Sequence, residues 1–447
     1  MRSLLKSSGR GGRWTSFSRC IATSSPKCPI ERFEVRILVC VCLSLSRFFV
    51  NNVKRRFDVV LFSTTIKRPT YLQTHTTLQL ERFFAEFEFS APYQLCNSDC
   101  EAVSQSDLLS MADDECMNLW ESLTLAYTET RGHPALLQEI ANHYKSNNIT
   151  SSSIATLAPE EGIYSAMRVL IRPGDTIVCT TPGYQSLYSI AKSLGATVRP
   201  WNVREENETF VFDTDELETI AKEYRPAMIV TNFPHNPTGA LPTSEEWQRV
   251  GEIADNCGAI LFSDEMYRCI EFDSKDRLPS ACEISENAIT LCGLSKSWGC
   301  PGLRVGWLAS QNSTFLNEIA AFRDYTTICS AAPAEILGVI ALRNTHKLTN
   351  DNVNLVRKNL ETARSWFEEN EALVSWREPR AGPIMFPKMN LRSNTENIES
   401  YVRDLVRDHG ILLLPSTVYN YGESHFRLGL GRNNFDNVFQ RWIESLS

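Results

Sequence analysis

Residues 176–309 alternate short apolar runs with helical stretches, and that alternation constrains the fold more than any other feature of the chain. The runs are Thr176–Thr181, Ala227–Asn232, Ala259–Asp264, Ala288–Leu294 and Arg304–Ala309. Helical spacing of apolar residues marks Tyr184–Leu194, Thr214–Tyr224 and Ser244–Cys257 between them. Strands alternating with helices predict a mainly parallel sheet covered on both faces. Such sheets collect ligands beyond the carboxyl ends of their strands. With 447 residues, 43% of them hydrophobic, there is material for an ample core.

The strand ends carry polar residues of a particular kind. Ala-Ile-Leu-Phe-Ser closes on Asp264, and Tyr267 follows three residues later. The run Gly-Leu-Ser-Lys-Ser-Trp-Gly-Cys-Pro-Gly-Leu-Arg-Val-Gly (293–306) sets Lys296 just past an apolar strand and Arg304 eight residues on. Asn236 opens Asn-Pro-Thr-Gly, 28 residues before Asp264. Singly, each has a bland reading: a surface lysine, a turn built from Asn-Pro and Gly. As an ordered set they match the demands of pyridoxal 5′-phosphate. A lysine amine forms a Schiff base with the aldehyde. A carboxylate such as Asp264 keeps the ring nitrogen protonated, so that the ring can accept electrons. Asn236 and Tyr267 can donate to the phenolic O3′, and the planar fork of Arg304 suits a phosphate.

With these motifs the chain resembles the fold-type I pyridoxal-phosphate enzymes, specifically the class I/II aminotransferase family, from about Tyr71 to the C-terminus. The resemblance implies roles residue by residue. Lys296 is the Schiff-base lysine, Asp264 the partner of the ring nitrogen, Asn236 and Tyr267 the O3′ partners, and Arg304 the phosphate arginine. Tyr184, in Thr-Pro-Gly-Tyr-Gln-Ser-Leu-Tyr, stacks on the ring. Arg427, in His-Phe-Arg-Leu-Gly-Leu-Gly, grips the substrate α-carboxylate. Tyr127, in Tyr-Thr-Glu-Thr-Arg-Gly-His-Pro-Ala-Leu, reaches the phosphate of a neighbouring subunit. Against these stand a loop aromatic packed on the core for Tyr184, a surface strand arginine for Arg427 in competition with Arg432, and a core tyrosine for Tyr127.

Two positions depart from the family pattern. Gly293 stands where a small hydroxyl residue usually contacts the phosphate, and Ser295 is the available substitute. The phosphate-cradling turn reads Pro159-Glu160-Glu161-Gly162, with two carboxylates where a dianion would sit. The backbone N–H groups of Glu161 and Gly162, at the start of a helix over Ile163–Ile171, are the expected phosphate donors. The alternative is an ordinary acidic helix start, which the macrodipole favours anyway.

The implied fold is α/β: a large domain with a mainly parallel sheet sandwiched by helices, plus a smaller α+β domain. Its expected boundaries are 71–115 for an N-terminal segment of the small domain, 116–334 for the large cofactor-binding domain and 335–447 for the rest of the small one. A homodimer with shared active sites follows from the resemblance, not from composition. The implied activity is transfer of an amino group between an α-amino acid and a 2-oxo acid. Two other readings stay open: a lyase or cyclase acting at an amino-acid side chain, of the capreomycidine synthase-like type, and an aminotransferase-like regulatory protein. The third lacks support, because residues 1–70 show no pair of consecutive amphipathic helices for DNA binding. The loop Cys96–Glu101 crosses the site mouth in the family, and here Asp99 or Glu101 is expected to favour substrates with a second cation.

Net charge is −8, unevenly spread. Residues 1–70 hold fourteen basic and three acidic residues, a net +11 that leaves −19 on 71–447. An acidic body argues against nonspecific nucleic-acid binding. The fourteen cysteines show no spacing of a zinc site, so no metal is expected, and they read as reduced thiols. Met1–Pro29 is rich in Arg and Ser and free of acid, as organelle transit peptides are. The apolar run Val35–Val50 is interrupted by Arg36 and Arg47, too short between them to span a membrane. Three readings of the leader remain: a transit peptide to a mitochondrion or other organelle, a disordered basic segment, or translated upstream sequence. A cytoplasmic enzyme is expected unless the first applies.

Overall fold

The computed structural model describes residues 77–206, 209–390 and 397–446, and the basic leader expected over 1–70 lies outside them. The first short strand, β1, is Tyr93–Gln94. The large sheet follows with β2 (Ile154–Leu157), β3 (Thr176–Thr181), β4 (Thr197–Glu206), β5 (Thr209–Phe212), β6 (Met228–Asn232), β7 (Ile260–Asp264), β8 (Ala288–Gly293) and β9 (Gly306–Ala309). Their spatial order is β2-β9-β8-β7-β6-β3-β4-β5. The central strands β4, β3, β6, β7 and β8 pair in parallel. Antiparallel pairing is confined to β9, with both β8 and β2, and to the β4–β5 edge. β6 and β8 are buried along their whole length, as strands covered on both faces must be. In the register Asn232 of β6 pairs with Asp264 of β7, which pairs with Leu291 of β8. The carboxyl ends of three neighbouring strands therefore lie side by side, with β8 running on past Leu291 to Gly293.

The flanking helices start where local chemistry lets them. Asp213 caps the helix Thr214–Tyr224 by accepting from the Asp215 and Glu216 N–H groups. Thr243 and Glu246 form a reciprocal capping box at the start of Ser244–Cys257, which ends on left-handed Gly258. The helix expected over Ile163–Ile171 begins earlier, at Pro159, and runs to Leu170. Proline suits that first position because its missing N–H would have had no partner there. Two expectations shift. Arg304 is not in a strand: it closes the turn Pro301–Leu303 with φ of 54°, and β9 begins at Gly306. Tyr184 is not in a helix but in the loop before Ser186–Ser193.

The helix α1 (Gln79–Phe87) buries Leu80 and Phe83 in a core shared with residues of the C-terminal third. β1 pairs in parallel with Ile411–Leu412, so the N-terminal segment is joined to the far end of the chain. The boundaries expected at 115/116 and 334/335 fall inside the helices Asp114–Glu121 and Ala332–Arg343. Among the described residues no helix is long and apolar enough to cross a membrane.

Candidate active site

A cavity of about 350 Å³ opens at the carboxyl ends of β6, β7 and β8. Lys296 follows β8, Asp264 ends β7 with Tyr267 just beyond, and Asn236 follows β6. All four line the cavity. Spatial neighbourhood of the strands, not closeness in sequence, gathers them.

Lys296 Nζ donates to Ser98 Oγ at 2.9 Å. Burial lowers its pKa, as do Arg427 and Arg432, while Asp99 and Glu81 oppose the shift. A lysine held in this way is more readily deprotonated and hence nucleophilic. Asp264 is 5% exposed, and burial pushes its carboxyl up to about 7 against one backbone donor, the Met266 N–H at 3.1 Å. A carboxyl in that state lacks a cationic partner, and a protonated ring nitrogen would be one.

The orientation of Asn236 follows from two donors. Its Oδ1 accepts from the Tyr419 hydroxyl at 3.1 Å and from Arg427 Nη1 at 3.3 Å. The amide NH2 is thereby left as the group free to donate. The backbone of Asn236 is fixed too, since its N–H donates to Asn232 Oδ1 at 2.8 Å while Asn232 Nδ2 donates to the Asp264 carbonyl at 3.0 Å. Behind this loop His235 is fully buried between Thr238 Oγ1 and the Pro182 carbonyl, and burial lowers its pKa to about 4. Facing a carbonyl through Nε2, the ring is a neutral Nε2–H tautomer.

Arg427 is 1% exposed and lines the same cavity. Nε and Nη2 donate to the Cys96 carbonyl at 3.1 and 2.8 Å, and Nη1 donates to Tyr419 at 2.6 Å. With Asn236 these acceptors engage four of the five guanidinium hydrogens, leaving one on Nη2 without an acceptor among the described residues. Arg432, its rival in the sequence reading, also lines the cavity but is tied to Asp99 at 2.9 Å and to the Cys100 carbonyl.

At the other end stand Arg304, Ser295, Tyr184 and Glu160. Gly162 plays no part there, because its N–H donates to the Ala158 carbonyl at 2.9 Å inside the helix. A Cβ on Gly162 would come within 2.8 Å of Leu157 and 2.9 Å of Leu291, so glycine serves the packing of helix on sheet. With proline first, the unengaged donors of the helix start are the N–H groups of Glu160 and Glu161. The Glu161 carboxylate turns away from the cavity to Thr327, at 2.7 Å, and towards Arg323. Glu160 stays in the cavity wall, where burial raises its pKa and the Ser186 hydroxyl donates to it. The missing hydroxyl at Gly293 also has a steric cause: a Cβ there would meet Pro159 Cγ and Gly306 Cα at 3.0 Å. Tyr184 donates to Glu81 at 3.4 Å. Tyr127 is not in the cavity at all: it is 86% exposed, beside Leu125 at 89%.

Whether this cavity fits pyridoxal phosphate is tested by its orphaned atoms. Tyr267 Oη and Ser295 Oγ are buried without a hydrogen-bond partner among the described residues; Ser98 lowers the tyrosine's pKa but completes no bond to it. Buried hydroxyls without partners call for a polar ligand. Asp264 and Arg304 face the same space, so the donor set suits the O3′, ring nitrogen and phosphate of that cofactor. Residues that the sequence reading passed over are Ser98, Asn232, His235 and Tyr419. Phe84 and Glu81 of α1 and Glu88, which caps its C-terminus, also line the wall. Only the amphipathic pattern of α1 hinted at any of them.

The family model for aminotransferase class I and II matches residues 110–438. The chain is similar to a capreomycidine synthase of Streptomyces vinaceus, 29% identical over 276 residues, covering 62% of this chain and 69% of that one. It is 26% identical to an aspartate aminotransferase of Pyrococcus horikoshii over 316 residues, 68% of this chain and 78% of the other. Among solved structures, a pyridoxal-phosphate-dependent aminotransferase from Streptococcus suis superposes with a TM-score of 0.77 at 26% identity, over 83% of this chain and 98% of its own. The chain belongs to the class I and II aminotransferases, enzymes that depend on pyridoxal 5′-phosphate.

Proposed function

We propose that this enzyme moves an amino group between an α-amino acid and a 2-oxo acid, with Lys296 as both the amine that holds the cofactor aldehyde and the carrier of the α-proton. The observation that carries the reading is the convergence of Lys296, Asp264, Tyr267 and Asn236 at three adjacent strand ends around one cavity. When bound, the cofactor supplies an electron-withdrawing ring that stabilises negative charge at the substrate α-carbon. Asp264 would hold the ring nitrogen protonated. Tyr267 Oη and the Asn236 amide would donate to O3′. Ser295 Oγ, Arg304 and the helix-start N–H groups of Glu160 and Glu161 would hold the phosphate. Tyr184 would stack on the ring. Lys296 Nζ, with its lowered proton affinity, would take the proton from the α-carbon and deliver it to the cofactor's C4′, two atoms along, as base and then acid. Arg427 offers its charge and its free Nη2 hydrogen to the α-carboxylate. Exposed Tyr127, with Leu125 and with Tyr325 at 89% exposure, supports a homodimer in which Tyr127 meets the neighbouring subunit.

The likeness to a capreomycidine synthase supports a second reading, ring closure at an amino-acid side chain through the same residues. One experiment separates the two. Holoenzyme is mixed with single amino acids without an acceptor, and 2-oxo acid is quantified. Release of one equivalent per active site supports transamination, whereas consumption of the amino acid with no 2-oxo acid supports the cyclase.

A further inference from the structure

We propose that the site takes α-amino acids whose side chain ends in a cation, an amine or a guanidinium, read by Glu81 of α1 and by Glu88, which caps its C-terminus in helical conformation. This rests on the aminotransferase reading above.

Leu80, Glu81, Phe84 and Glu88 all line the cavity. At 100° per residue they share an arc of about 100° on the helix, a single face turned to the site. Phe84 lies between the two carboxylates along the axis, with Leu80 beside it, an apolar surface for the methylene stem of a long side chain. Phe84 lies 5.9 Å from the Arg427 guanidinium, so this face begins where the α-carboxylate is held.

Four cations line the cavity: Lys296, Arg304, Arg427 and Arg432. Arg432 is engaged by Asp99. Arg304 and Arg427 face the phosphate and the substrate carboxylate in the proposed chemistry, and Lys296 holds the cofactor. Glu160 accepts from Ser186. Glu81 accepts only a 3.4 Å bond from Tyr184, and the Glu88 carboxylate has no hydrogen bond or ion pair among the described residues. Burial, then Glu81 and Asp99, raises the Glu88 pKa and outweighs the opposing pull of Lys296 and Arg432, neither of which forms an ion pair with it among the described residues. Independently of the hydroxyls assigned to the cofactor, Asn97 Oδ1, an acceptor in a residue of the same lining, is buried without a partner among the described residues. The site is therefore built for a polar ligand. Glu88 is half-buried and Glu81 is exposed at the rim of the cavity, so a neutral side chain would dehydrate Glu88 without a partner and an acidic one would be repelled by both carboxylates, whereas a cation would pair with them. The loop Cys96–Glu101 does not make this selection. Asp99 is engaged by Arg432, and Glu101 accepts from the Asn433 N–H at 3.0 Å.

The test compares kcat/KM of the holoenzyme for L-lysine, L-ornithine and L-arginine with that for L-norleucine, which has a matched stem and no charge, and L-glutamate. The best cationic substrate is expected to exceed norleucine by about 100-fold, the scale of one or two charge-assisted hydrogen bonds. In Glu88→Gln that ratio should fall about 10-fold, and in the Glu81→Gln/Glu88→Gln double variant it should approach one. Calorimetric binding of lysine and norleucine should follow the same order. Equal rates for lysine and norleucine in the unaltered enzyme overturn the inference, and an unchanged ratio in a folded double variant overturns the assignment to α1. If none of the five amino acids releases a 2-oxo acid, the aminotransferase reading falls with it.

Discussion

At the scale of single residues, the site depends on groups whose properties are set by burial. Lys296→Ala should abolish turnover, and borohydride treatment should leave no cofactor attached to the purified protein, because both the amine and the proton carrier are lost. Asp264→Asn should keep cofactor yet lose about 10²–10³ in kcat, the cost of removing an electrostatic stabiliser from a buried site. Turnover near that of the unaltered enzyme would mean that another acid pairs with the ring. Tyr419→Phe removes the hydroxyl that accepts from Arg427 and donates to Asn236. A loss of about 10-fold in kcat/KM is expected, with little change in thermal unfolding. His235 permits a pH test. Its folded pKa of about 4 lies below the usual 6.5, so its contribution to stability is complete above 6.5 and is lost as pH falls towards 4. The destabilisation caused by His235→Gln, read from denaturant melts, should therefore shrink by about 2 kcal/mol between pH 7 and pH 5.

At the scale of elements, the two glycines of Phe426-Arg427-Leu428-Gly429-Leu430-Gly431 have a role that their spacing alone does not reveal. A Cβ on Gly429 would lie 2.3 Å from the Asn97 carbonyl oxygen, and one on Gly431 would lie 2.4 Å from that of Asp99. The loop carrying Ser98 and Asp99 thus rests directly on the strand that carries Arg427. Since these clashes are with backbone, they cannot be relieved by turning a side chain. Gly431→Ala should displace the loop, lower stability by about 1–3 kcal/mol and raise KM for the amino acid, as measured by thermal unfolding and steady-state kinetics. A variant with unaltered stability and KM would show that the loop is not held there.

At the scale of the whole molecule, every described residue that lines the cavity lies at position 80 or beyond. A chain of residues 71–447 is expected to fold and retain turnover within about twofold, since it keeps every described residue of the cavity. Insoluble truncated protein beside soluble, active full-length protein would refute this.

The sequence by itself determined the strands and helices of the large sheet, because apolar runs buried on both faces and capped helices are local patterns. Thr176–Thr181, Thr214–Tyr224 and Ser244–Cys257 were legible to the residue. It also singled out Lys296, Asp264, Tyr267 and Asn236 as one set, since the cofactor calls for those residue types, and the structure brings them to one cavity. The tertiary structure alone decided which side chains share the cavity wall. Whether Asp99 is available depends on Arg432, some 330 residues away, and whether Gly162 can donate depends on the helix register around Ala158. Glu81 and Glu88 read only as polar positions of an amphipathic helix. Their place in the site arises because α1 is packed into a core shared with the C-terminal third, a long-range contact that no local pattern encodes.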